Sequence, residues 1–138
     1  MGGAGGASEP SILGGDVMLV GGIALTLVAV YFARLYRMSK SGTLPYSRLT
    51  GIRTRATMRS ELVWIKVHKK YAWVFMSTAL GFATIGLWFI IGAFFIELQQ
   101  FTMTPFYVII GATLIALISG GASADRYART INTGGEAL

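Results

Sequence analysis

From Tyr71 to Ile96 the chain carries no charged side chain. Wound as a helix, this run is roughly 39 Å long, more than the roughly 30 Å hydrocarbon core of a bilayer. A helix buried in a soluble bundle shows a polar stripe every few residues. Here Ser77, Thr78 and Thr84 are the only polar side chains in the middle of the run, Trp and Tyr aside. A run of this kind crosses a membrane, and its excess length predicts tilting, kinking or protrusion. Two further runs behave alike. Val17 to Ala33 is roughly 26 Å as a helix and is closed by Arg34 and Arg37. The third starts after Pro105, which suits a first helical turn, and continues to about Ala124, with Asp125 and Arg126 closing it.

The reading is an all-α integral membrane protein with three transmembrane helices, at 16–36, 71–97 and 105–125. A basic loop fills 37–70, with a short helix near 59–70. A tail covers 1–15, a short connection 98–104, and a second tail 126–138. Composition agrees. Of 138 residues 54% are hydrophobic and only 13% charged, where a soluble domain carries about a quarter. Small residues at helical spacing, Ala79 with Ala83 and Gly111 near Ser119, permit close packing of helices.

The net charge of +6 is unevenly placed. Ten of the 12 Lys and Arg lie between Arg34 and Lys70, and the other two, Arg126 and Arg129, lie in the C-terminal tail. The N-terminal tail has only Glu9 and Asp16, and the second connection only Glu97. With three spans, every basic residue falls on one side. The positive-inside rule then puts the loop and the C-terminus in the cytoplasm and the N-terminus outside. The first run reads as a retained anchor, because no Lys or Arg precedes it to form the positive region of a cleavable signal. Both tails, rich in Gly and small residues, read as flexible.

The absence of cysteine excludes disulfides, thiolate metal sites and a cysteine nucleophile. A single histidine, His68, excludes a multi-histidine metal site within one chain. No charge lies inside a span to mark an ion path, and paired carboxylates and a phosphate-binding loop are missing. The expectation is a protein that is not an enzyme, with no metal and no cofactor. The basic loop is explained by topology and anionic headgroups, each Lys or Arg near such a surface contributing about 1 kcal/mol, rather than by nucleic acid. Other membrane proteins are the further expected partners.

The distinctive segment is PYSRLTGIRTRATMRSELVWIKVHKK, residues 45–70. Pro, Gly, Ser and Thr make its first part irregular. Its second part is the short helix, capped by Ser60 or Thr57 with Glu61 in the first turn. On that helix Glu61, Trp64, Ile65 and His68 share a face. Glu61, the one acid among ten basic residues, is expected to pair with Arg53, Arg55 or Arg59.

The run Thr50-Gly51-Ile52-Arg53-Thr54, followed by Ser60-Glu61, Trp64 and His68-Lys69, resembles the signature of the SdpI family. That signature is a Gly-[Ile/Phe]-Arg-Thr-Pro run, a serine and an acid, then Trp and His or Asn four residues apart, with a span at once after. The match covers about residues 44–96. Arg55 stands where the family commonly has proline, which predicts a looser turn after Thr54. Lys70 and Tyr71 replace a pair that is commonly small or contains glycine. The resemblance implies a relation to a membrane immunity protein that protects its producer from a secreted membrane-active peptide. The founding type also holds a repressor at the membrane and has more spans than this chain.

The resemblance makes Gly51, Arg53, Thr54, Glu61, Trp64 and His68 candidates for partner or lipid binding. Each has a plainer reading. Arg53 could clamp a phosphate or carboxylate bidentately or serve topology alone. Gly51 could supply an unusual backbone geometry or simple flexibility. Trp64 fits an ordinary interfacial aromatic, and His68 either a proton-responsive group or a solvated ring. Two functions remain: protection against, or sensing of, membrane-active peptides, and service as an accessory subunit of a larger membrane complex. The topology has its own test in this cysteine-free chain. Cysteines placed at Ser8 and Gln99 should react with an impermeant reagent added outside intact cells, and one at Ser47 should not; the reverse pattern overturns the orientation.

Overall fold

A computed structural model describes residues 11–47, 49–95 and 103–131. The expectations for residues 1–10, most of the 98–104 connection with Glu97 before it, and the last seven residues lie outside the described part. Every element found is helical: α1 (Ser11–Ser41), α2 (Glu61–Lys70), α3 (Ala72–Phe94) and α4 (Met103–Thr130). Three of them, α1, α3 and α4, are long and apolar enough to cross a membrane. The chain is a multi-pass α-helical membrane protein with a short fourth helix before its second span.

Helix α1 begins at Ser11 and runs on through Arg34, Arg37 and Lys40, beyond the apolar run at both ends. Helix α4 likewise extends past Asp125 to Thr130, with Pro105 in its first turn. The long uncharged run is shorter as a helix than as a sequence. Tyr71 adopts φ −101° and ψ 18°, closing α2 through its amide to the Val67 carbonyl before α3 starts. The short helix and the second span are therefore two helices, and α3, at 23 residues, is about 34 Å long and nearly matches a bilayer core.

Helix α3 lies between α1 and α4, with its most extensive packing on α1. The α1–α3 contact depends on two glycines. A Cβ on Gly86 would come within 2.9 Å of the Gly22 carbonyl and 3.0 Å of the Thr26 amide; one on Gly22 would meet the Gly86 carbonyl at 2.8 Å. Backbones that approach this closely gain dispersion contacts that larger side chains would prevent. The Thr26 hydroxyl donates to the Gly22 carbonyl at 2.8 Å, so it brings no unpaired polar group to the seam. Phe32 stacks on Phe82 along the same interface. On the other side Gly81 receives Thr113 and Gly120 receives Val74. Gly111, a small-residue position marked in the sequence, faces open space.

Helix α2 wedges into the basic end of the three long helices. Its Val63 and Val67 pack on Ala124 and Ala128 of α4, while Trp64 packs with Leu35, Leu44 and Phe75. Ile52 touches both groups. Gly86→Leu should break the α1–α3 seam and lower stability by about 1–3 kcal/mol. Gly111→Leu should leave stability near wild type. Thermal unfolding in a mild detergent reads both, and equal melting temperatures would refute the role given to the glycine contact.

Candidate functional site

The loop between α1 and α2 is built on backbone bonds made by side chains. Gly42, at φ 75°, ends α1, and the Thr43 and Leu44 amides return to the Met38 carbonyl. Farther on, Thr54 starts one closed turn: its carbonyl accepts from the Met58 amide at 3.0 Å, and its hydroxyl accepts from the Thr57 amide at 3.2 Å. Arg55 occupies the first position of that turn, where proline is favoured but any residue with helical φ serves. The turn is closed without the proline.

Thr57 is fully buried. Its hydroxyl oxygen accepts from the Thr54 amide at 2.8 Å, and its hydrogen is directed to the Ile52 carbonyl at 2.9 Å. Thr57 is therefore a brace of the loop, and Ser60 is the helix cap, accepting from the Val63 amide at 3.3 Å.

His68 is 1% exposed, so a solvated ring is excluded. Its Nε2 accepts from the Ile52 amide at 2.8 Å, and its Nδ1 lies 2.9 Å from the Trp64 carbonyl. An amide can only donate and a carbonyl only accept, so the ring is neutral with its hydrogen on Nδ1. The imidazole stacks on Phe75 and lies with its centroid 3.9 Å from that of the Trp64 ring.

Trp64 is fully buried as well, with Nε1 donating to the Leu44 carbonyl at 3.3 Å. It is a core residue of the loop and not an interfacial aromatic. Gly51 sits above this pair at φ 91°, and a Cβ there would strike His68 Nε2 and approach Trp64 Cη2 at 2.9 Å. Both the backbone geometry and the lack of space require glycine. Gly51, Trp64 and His68 thus meet in one knot.

Arg53 and Thr54 face the other way. Arg53 and Arg55 are exposed and line a cleft of about 560 Å³ with Tyr46, Ser47, Thr54 and Met58. The Tyr46 hydroxyl donates to the Met58 carbonyl at 2.7 Å and fixes the wall of the cleft. The Thr54 side chain also lies beside the Asp125 carboxylate of α4. Glu61 is exposed at the start of α2 and complements the helix dipole.

The pairing expected of Glu61 is not found: among the described residues the ion pair is Asp125 with Arg129, at 2.8 Å. Arg59 instead donates to the Ala128 carbonyl at 2.7 Å. That carbonyl, near the end of α4, lacks a helical partner, and the Arg59 guanidinium satisfies it. Arg53 and Arg55 therefore present uncompensated positive charge among the described residues, with hydroxyls beside them: an arrangement that receives an anionic group.

Sequence reasoning did not single out Tyr46, Ile52, Thr57 or Arg59 for the site. The Thr54–Thr57 spacing signals a side-chain turn, but nothing local marks Arg59, whose partner is far along the chain.

The fold and this knot define a small polytopic membrane protein with a braced loop ahead of its second span. The chain belongs to the SdpI/YfhL protein family, whose model matches residues 43–121. The match takes in the loop, α2, α3 and most of α4, and reaches beyond the segment that carries the signature. No curated protein and no solved structure gives a significant match.

Burial pushes the His68 imidazole below its ordinary value, outweighing the upward pull of the Trp64 carbonyl. The unfolded chain then takes up the proton first, so acid favours unfolding. The stability held by neutral His68 is complete above about pH 6.5 and is lost as pH falls below it. The wild-type melting temperature in detergent should fall between about pH 7 and pH 5. His68→Gln, whose side-chain oxygen can still accept from Ile52, should melt lower at neutral pH and show a flatter profile. Parallel profiles would remove His68 as the titrating group.

Proposed function

We propose that this chain is a non-enzymatic protein of the bacterial cell membrane that protects the envelope against membrane-active peptides or senses them, with its basic loop in the cytoplasm. The observation that carries this reading is the division of the family signature into two faces. Gly51, Trp64 and His68 form a buried brace, and the brace holds Arg53 and Thr54 in an open basic cleft. Such a cleft suits an acidic partner or a headgroup carried in by the peptide. Catalysis is disfavoured by the same geometry, since the one imidazole is committed to two backbone groups and is not free as a general base.

Deletion of the gene should sensitise cells to at least one member of a panel of envelope-active peptides. Restoring Arg53→Ala should rescue poorly and Arg37→Ala well. Unchanged sensitivity across the panel would refute protection, and equal rescue would take the role away from the cleft.

A second reading, an accessory subunit of a larger membrane complex, is favoured by how little of α4 is covered: 6% of its most apolar stretch is buried, against 33% for α3. Purification in mild detergent separates the two, because a stoichiometric partner is required only by the second.

A further inference from the structure

Helices α1 and α4 flank α3 without substantial packing on one another. Toward the basic end this leaves a crevice of about 350 Å³, walled by Tyr31 and Leu35 of α1 and by Leu117 and Gly121 of α4, with Phe75 at its floor. The loop from Leu49 to Ile52 closes one end. A smaller apolar cavity of about 190 Å³ shares Tyr31, Leu35 and Thr50 with the crevice and reaches Arg34. A bilayer-facing apolar space left empty forfeits dispersion contacts along its whole lining.

We propose that this crevice binds one anionic phospholipid from the leaflet on the basic side, its acyl chain between α1 and α4 and its phosphate at Arg34 and Thr50. Three features select that occupant. Arg34 is exposed and has no carboxylate partner among the described residues, and its planar fork matches a phosphate. Leu49, 88% exposed although it lines the crevice, is an apolar side chain on a polar loop that a lipid would cover. The loop blocks the crevice at its basic end, so another transmembrane helix cannot run its length, whereas an acyl chain enters from the membrane. The site is separate from the Arg53 cleft and stands or falls independently of the proposed function.

Gly121 allows a direct test, because a Cβ at that position meets nothing within 4 Å. Gly121 lines the crevice, so Gly121→Leu adds bulk at its wall where a Cβ is accommodated. The full-length protein in a nonionic detergent is titrated with dioleoyl phosphatidylglycerol, dioleoyl phosphatidylcholine or glycerol phosphate, and bound species are counted by native mass spectrometry. The wild type should retain one phosphatidylglycerol about fivefold more tightly than phosphatidylcholine, the factor one arginine contributes near an anionic group. Free glycerol phosphate should not bind.

Arg34→Gln should abolish the preference and keep weak binding of both lipids. Gly121→Leu should lose both; if it does not purify as a single species, Leu117→Trp narrows the same space. Lipid retention unchanged in the bulkier crevice variant overturns the proposal. So does a wild-type dimer that this variant dissociates, which would make a second copy the occupant.

Discussion

The bond from the Ile52 amide to His68 Nε2 determines where the whole loop lies. Ile52 has no regular secondary structure to satisfy its amide, and a buried amide left unpaired costs about 1–3 kcal/mol. His68 supplies the acceptor only because its other nitrogen gives its hydrogen to the Trp64 carbonyl one turn back. With the amide fixed, the Ile52 side chain reaches both apolar clusters at the basic end. The Ile52 carbonyl turns to Thr57, and the next residue, Arg53, faces the cleft. Protonating the ring sets a donor against a donor, so the placement of the loop and the charge state of one imidazole are a single property.

The membrane-spanning part has a different physical basis. In a bilayer, apolar side chains gain little by leaving lipid for protein, so close backbone approach carries the association. Gly22 and Gly86 provide it between α1 and α3. The long exposed faces of α1 and α4 are in keeping with a lipid surrounding. Polar bonding between elements is concentrated at the basic end, where the rim of the loop is exposed and the core beneath it is buried.

The three long helices were legible because lack of charge over a bilayer's length is a global property of a sequence. So was the helix from Glu61, since Ser60 and the first-turn acid are local signals. The boundary near residue 70 was legible from where the charges stop, but not the interruption of the helix at Tyr71. The residues before and after it are all compatible with helix, and only the docking of α2 across α1 and α4 requires the turn. The signature residues could be picked out, but not sorted. Trp64 and His68 look like interfacial and solvated groups until tertiary packing buries them, and Gly51 reads as flexible until their rings occupy the space where its Cβ would be. Glu61 attracts a pairing by charge alone, yet Arg59 finds its partner in a carbonyl distant in sequence, which no local pattern encodes.

The Arg59–Ala128 bond has a mechanical consequence. It joins the loop just before α2 to the last turn of α4. A force applied to the loop therefore reaches α4 through this bond. A shift of the loop must either break the guanidinium–carbonyl bond or drag the end of α4 with it. The bond is thus a tether, and the loop and the end of α4 keep their relative position for as long as it holds.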